Sequence, residues 1–206
     1  MISLPYFRNL LIIIGFLSLL PVAEPALAAG SASDPIETFH AALLSIMKDA
    51  KTTTPKIRYE RLRPAVTEVF HMAQIGRIAS GEYWDKAPPP VRERFVQALR
   101  HFGISRLVTL FDDYSGETFE TLGTRPGQQG TTYVMTRLHL FEKKPVGITY
   151  VTKEYGGRWY IIDALLDDSI SELSVRRSEY ARILRDGGME RLIDILNAKA
   201  DELLAS

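Results

Sequence analysis

The sequence predicts an α+β domain: a curved antiparallel sheet of about four strands, wrapped by helices, with a hydrophobic pocket between sheet and helices. Three observations predict it. Apolar residues recur at helical spacing through the first half of the chain and again at its end. Between these stretches lie four β-type segments separated by glycine, proline and lysine turns. The last of them, Trp159-Tyr160-Ile161-Ile162-Asp163-Ala164-Leu165-Leu166, is apolar at both parities. An antiparallel strand that is wet on one face alternates instead, so both faces of this one are covered. One face packs on helices, and the other meets more protein or a ligand.

The first helix opens at Asp34-Pro35-Ile36-Glu37. Asp34 suits the cap, Pro35 the first helical position, and Glu37 falls three after the cap. Ile36, Phe39, Leu43, Ile46 and Met47 form its apolar stripe, and Thr52-Thr53-Thr54-Pro55 ends it. A second helical stretch runs through Tyr59 and Leu62, restarts at Pro64, and continues its apolar face with Val66, Val69 and Phe70. A short helix around Met72, Ile75 and Ile78 stops at Gly81, with Trp84 in the following turn. Pro88-Pro89-Pro90 starts the longest helix, whose buried side is marked by Val91, Phe95, Leu99, Phe102, Leu107, Leu110 and Phe111. Gly103 costs that helix up to about 1 kcal/mol and is read as a bend. The strands are expected at Gly116–Thr124, Thr131–Phe141, Pro145–Tyr155 and Arg158–Leu166. Lys143-Lys144 and Gly156-Gly157 read as tight hairpin turns, which makes the sheet antiparallel. Two helices close the chain, Ile170–Arg185 and Met189–Leu204, separated by Gly187-Gly188.

The first 28 residues are expected to be a secretory signal peptide rather than part of the fold. Arg8 supplies a positive start, Leu10–Leu20 an apolar run, Pro21 and Pro25 a break, and Ala26-Leu27-Ala28 a small-x-small cleavage site. The mature chain then begins near Ala29, and residues 29–206 form one domain of about 180 residues. That length buries a core without staples. Twenty-five basic residues balance 25 acidic ones, which argues against nucleic acid as a partner, since phosphate backbones demand a basic excess. The chain has no cysteine, hence no disulfide and no thiolate metal site.

Motifs for chemistry are missing. The chain contains no GxxxxGK[ST] loop, no GxGxxG after a strand, no GxSxG elbow and no HExxH. The four histidines, His40, His71, His101 and His139, are scattered, so neither a metal nor a cofactor is expected. Asp163 is the acid of most interest, because an ionised carboxylate inside an apolar strand is costly unless paired. A structural role, bonded to an arginine or to backbone amides, is the expected one. The alternative is an enzyme in a cone-shaped fold of the NTF2-like kind, with Asp163 as general base and Tyr150 or His139 as partner. Glu172 and Arg176 stand at i, i+4, the usual spacing of a solvated helix face.

Several blocks of residues resemble a known family. The first is Val69-Phe70-His71-Met72-Ala73, followed by Gly81, Trp84 and Arg94-Phe95. The second is Tyr114-Ser115-Gly116-Glu117. The third is Trp159-Tyr160-Ile161-Ile162-Asp163 with Ser171, Arg177-Ser178-Glu179-Tyr180, Gly187-Gly188 and Leu192-Ile193. In order and spacing they are similar to MlaC, the toluene-tolerance auxiliary family of periplasmic lipid carriers, from about Pro35 to Leu203. Asp163-Ala164 and Asp168-Ser169-Ile170-Ser171 depart from the family's usual Asp-Val and Gly-Ile/Val-Ser. Arg176-Arg177-Ser178-Glu179 is closer to the hopanoid-associated branch called HpnM. The resemblance implies a non-enzymatic periplasmic carrier of a phospholipid or a hopanoid. It implies an inner-membrane transporter as partner, of the ABC type or, for the hopanoid branch, of the resistance-nodulation-division (RND) type, with an outer-membrane lipoprotein complex beyond it. The candidate walls, between the long helices and the last strands, are Met72, Ile75, Phe95, Phe102, Leu110, Phe111, Tyr133, Tyr150, Trp159 and Ile161.

Overall fold

The computed structural model describes residues 30–205. The expected signal peptide and its cleavage point lie outside them. Among the described residues no helix is long and apolar enough to cross a membrane.

Helix α1 spans Asp34–Lys48 and buries Ile36, Phe39, Leu43, Ile46 and Met47, the stripe its spacing predicts. Its cap differs from expectation. Ser33 is the N-cap, and the Asp34 carboxylate reaches back to accept from the Ser31 amide at 2.7 Å. After a 3₁₀ turn at Ala50–Thr52, α2 runs from Pro55 to Val69, and Pro64 sits inside it without a restart. Thr54 caps α2 by accepting from the Ile57 amide. Helix α3 (Met72–Ser80) is capped by the His71 imidazole, and Trp84 lies in a short helix, α4 (Glu82–Lys86), not in a bare turn. The long helix α5 is unbroken from Pro89 to Leu110.

The sheet is an antiparallel meander in the order β1-β2-β3-β4-β5. The strands are β1 (Thr118–Pro126), β2 (Thr131–His139), β3 (Val146–Tyr155), β4 (Arg158–Leu166) and the short, unexpected β5 (Ile170–Ser171). Gly156 and Gly157 both take positive φ, 59° and 78°, and close the tight β3–β4 hairpin. Lys143-Lys144 is no tight turn: β2 ends at His139 and β3 begins at Val146. Register shifts place one extra residue at Leu122 in β1 and one at Ile162 in β4. Such bulges bend a sheet and raise its twist, which supplies the expected curvature. The His71 amide donates to the Ile161 carbonyl at 3.0 Å beside the second bulge, pinning the α2–α3 junction to β4.

Helix α6 covers Glu172–Ala205 in two arms, hinged where Gly188 takes φ 69° and ψ −168°. A domain of this size usually has one contiguous core, but here there are two. The first joins the sheet to α1, α2 and the end of α5, around Phe39, Leu62, Ile104, Val134 and Ile161. The second joins α3, α5 and α6, around Phe95, Leu99, Tyr180, Leu192 and Leu196.

Candidate functional site

A cavity of about 300 Å³ separates the two cores and draws its walls from both. Helix α5 contributes Leu99, Phe102, Gly103, Arg106, Leu107 and Leu110, with Phe111 just beyond its end. That spacing is one stripe of a 3.6-residue helix. Strand β3 contributes Ile148 and Tyr150; β4 contributes Ile162, Asp163, Ala164 and Leu166. Phe39 and Leu43 of α1, Val66 and Phe70 from α2, and Met72, Ile75 and Ala79 of α3 complete the apolar wall, with Leu173 and Tyr180 of α6. Toward one end the lining runs out to Leu110, 72% exposed, and Leu166, 37% exposed. Gly103 faces this space: a Cβ built there meets no atom within 4 Å. Its lack of a side chain leaves the cavity open, and α5 runs through it without a break.

The polar groups fall into two sets. Glu172, Arg176 and Arg106 line the cavity together. Glu172 lies 3.2 Å from Arg176 and 3.6 Å from Arg106, and Arg176 also bonds Glu179. The expected solvated pair is therefore part of the wall, because the first turn of α6 packs over β4 and against α5. Arg176 keeps only 20% of its side chain exposed. Behind the Tyr150 part of the wall, the buried His40 Nε2 and Tyr150 hydroxyl lie 3.0 Å apart, and the His40 ring stacks on Phe119 at 3.9 Å. Burial pulls His40 down to about 4 and pushes the Tyr150 and Tyr180 hydroxyls up, Tyr180 to about 12. At neutral pH none of the three carries charge, so Tyr150 and Tyr180 add none to the lining.

Asp163 holds together the start of α6. Its Oδ1 accepts from the Ala164 amide at 2.8 Å and the Leu173 amide at 3.0 Å; its Oδ2 accepts from the Ser171 hydroxyl at 2.6 Å. Ser171 Oγ in turn accepts from the Ser174 amide. No arginine is among these partners, so of the two expected kinds the backbone amides are the ones found. His139 stands away from Asp163, 2.9 Å from Glu120 at the exposed β1–β2 side, which removes it as a partner for that acid. Among the described residues no cluster of three or more His, Asp and Glu side chains converges on a metal position.

Of the ten candidate walls, Met72, Ile75, Phe102, Leu110, Phe111 and Tyr150 line the cavity. The other four do not. Phe95 is fully buried in the second core, and Ile161 in the first. Tyr133 is on the face of β2 opposite the buried Val134, under the Arg125 guanidinium at 4.3 Å. Trp159 pairs with Glu154 near the hairpin end of β4. Phe39, Leu43, Gly103, Ile148 and Ile162 also line the cavity and are not among the ten candidates. Continuing the helical stripe outward from Phe102 would have reached Leu99, Gly103 and Arg106; nothing in the sequence marks Ile162, whose facing depends on the bulge.

Two half-cores around an apolar cavity with a charged rim define a small-molecule binding domain of the α+β class. Its lineage is given by sequence: the profile of the MlaC protein family matches residues 37–198, and the chain belongs to that family. A solved structure from Ralstonia solanacearum, described as a phospholipid-binding protein in complex with a phospholipid, shares the fold. It superposes with a TM-score of 0.73 at 14% identity, over 84% of this chain and 99% of that one. Among curated protein sequences none matches.

Proposed function

We propose that the protein is a periplasmic carrier that encloses lipid tails in this cavity and hands the lipid between membrane partners, with no catalysis of its own. The observation that carries the reading is the apolar cavity between two cores, open at Leu110 and Leu166 and rimmed by Arg106, Glu172 and Arg176. The Ralstonia protein of like fold holds a phospholipid, which supports the same ligand class here. The need is physical. Each CH₂ of an acyl chain costs about 0.8 kcal/mol in water, so a sixteen-carbon chain resists leaving a membrane by roughly 12 kcal/mol. An apolar cavity removes most of that penalty and requires no reactive side chain. Asp163 is occupied by three donors and Tyr150 by His40, so both serve structure. The six cavity-lining candidates, Met72, Ile75, Phe102, Leu110, Phe111 and Tyr150, are the lipid contacts we assign.

The partners that fit are an inner-membrane transporter of the ABC type and an outer-membrane lipoprotein complex. Direction then comes from differential affinity between donor and acceptor. A hopanoid cargo, with an RND-type exporter as partner, is the second reading; the run Arg176-Arg177-Ser178-Glu179 favours it. Mass spectrometry of an organic extract of the protein purified from its native cell tests both. Co-purified phospholipid supports the first reading and hopanoid the second. A lipid-free protein that also takes up none from vesicles defeats the carrier reading.

A further inference from the structure

A second cleft lies on the other side of α5. It is lined by Arg94, Gln97, Ala98, Arg100 and His101 of α5, by Tyr59 and Arg63 of α2, and by Ile193 and Asn197 of α6. Arg94, Gln97, Ala98 and His101 follow i, i+3, i+4, i+7 and form one stripe. The lipid-cavity stripe of Leu99, Phe102, Gly103 and Arg106 faces the opposite way, and no residue lines both spaces. We propose that this cleft is a binding site for a phosphate-type oxyanion, free as a phosphate ester or borne on a lipid headgroup.

Charge is the first reason. Three arginines and a histidine line the cleft, and no acidic side chain does. Their carboxylate partners stand outside the lining: Glu60 for Arg63, Glu190 for Arg94 and Asp201 for His101. The two arginine pairs are more than half exposed on both sides, and exposed pairs of that kind are weak and readily redirected. Arg100 has no hydrogen bond or ion pair among the described residues, and its buried Nε has no acceptor. The Arg100 guanidinium thus lines the cleft with its charge unpaired, and an anion there supplies the acceptor that a charged donor group requires.

Donor number selects the ligand. Three guanidiniums bring up to five N–H groups each, and the Gln97 and Asn197 amides add more. That exceeds the roughly four lone-pair positions of one carboxylate and suits the oxygens of a phosphate. Arginine forks bind phosphate bidentately. The cleft measures about 390 Å³, the liquid volume of roughly a dozen waters. It therefore accommodates the organic part of an ester as well, against Tyr59, Ala98 and Ile193. The inference is independent of the lipid reading, since it uses none of the cavity's residues.

The test uses the mature full chain in phosphate-free, low-salt buffer, because screening weakens such sites. Inorganic phosphate, glycerol 3-phosphate and an acidic peptide are titrated by calorimetry, and vesicles with and without phosphatidic acid are tested by co-sedimentation. The expected result is saturable, one-to-one phosphate or glycerol-phosphate binding that weakens at least tenfold in Arg100→Gln, with co-purified lipid unchanged. Arg63→Gln, at an exposed position, gives the same loss if Arg100→Gln does not fold. Co-sedimentation with phosphatidic acid vesicles that is lost in the variant names the headgroup as source, and binding of the soluble esters alone names the free phosphate ester. Three results overturn the proposal: no saturable anion binding, binding by both variants as tight as by the unchanged protein, or binding of the acidic peptide only.

Discussion

Gly103→Leu separates cavity from core in one substitution. Gly103 sits within α5 and faces open space, so the new side chain meets no wall at its Cβ. Glycine in a helix interior is about 0.8–1 kcal/mol less favourable than alanine, and leucine is nearly as good as alanine. The substitution therefore stabilises the empty protein by something near 1 kcal/mol. For a domain of this size that is about 2–4 °C in Tm. The isobutyl group meanwhile occupies part of a space of about 300 Å³ and displaces whatever tail lies there. The expected outcome is a folded variant with equal or higher Tm after delipidation and several-fold less co-purified lipid, read by calorimetry and mass spectrometry on one preparation. A truncation or charge at a packed wall lowers occupancy and stability together; Gly103→Leu is expected to separate them. A Gly103→Leu protein with higher Tm and undiminished lipid refutes the placement of the ligand beside α5.

Asp163→Asn should lower Tm by several degrees, because three charge-assisted hydrogen bonds become neutral ones at a total cost of about 1–3 kcal/mol. Lipid transfer by the folded fraction should persist, and a fully stable variant that cannot transfer would revive Asp163 as a reacting group. His40 makes stability fall with acid. Its folded pKa is lowered from 6.5 to about 4, so the unfolded chain binds the extra proton between those values and stability is lost as pH drops through that window. The loss reaches about 3 kcal/mol by pH 4; the difference in denaturation midpoint from His40→Gln, measured across pH 7 to 4, should shrink accordingly, and a constant difference argues against the neutral buried imidazole. N-terminal sequencing of protein from the native periplasm should begin near Ala29, and recovery of intact Met1 in the membrane fraction contradicts secretion with cleavage.

Element types were legible because periodicity survives translation into structure. The α1 stripe, the Pro-started α5, the Gly156-Gly157 hairpin and the Gly188 break all lie where spacing and backbone chemistry put them. Wall and core were not separable in the same way. Phe95 and Phe102 are seven residues apart on the same face of α5, yet the second core closes over one and the cavity opens beside the other. That difference belongs to the neighbouring helices, not to α5. Ile161 and Ile162 show a second limit. The bulge gives β4 an extra residue opposite β3, so strict alternation no longer assigns faces there. The i, i+4 pair Glu172–Arg176 shows a third, since a solvated pair and a cavity rim share one spacing.

The two-core arrangement bears on how a carrier of this kind holds and releases its cargo. A dry apolar void weighs on stability by about 24 cal/mol per Å³, so a closed cavity of about 300 Å³ would cost roughly 7 kcal/mol. That is comparable to the whole stability of an ordinary domain, about 5–15 kcal/mol. The opening at Leu110 and Leu166 admits water to part of the space and lowers the figure; bound tails remove more of it. Lipid is thus, on this reading, a stabilising component of the fold, and its release returns the strain to the protein. One core is anchored on the sheet and the other on α3 and α6, and α5 carries residues of both. Filling the cavity therefore bears on the packing of both cores through the one helix they share.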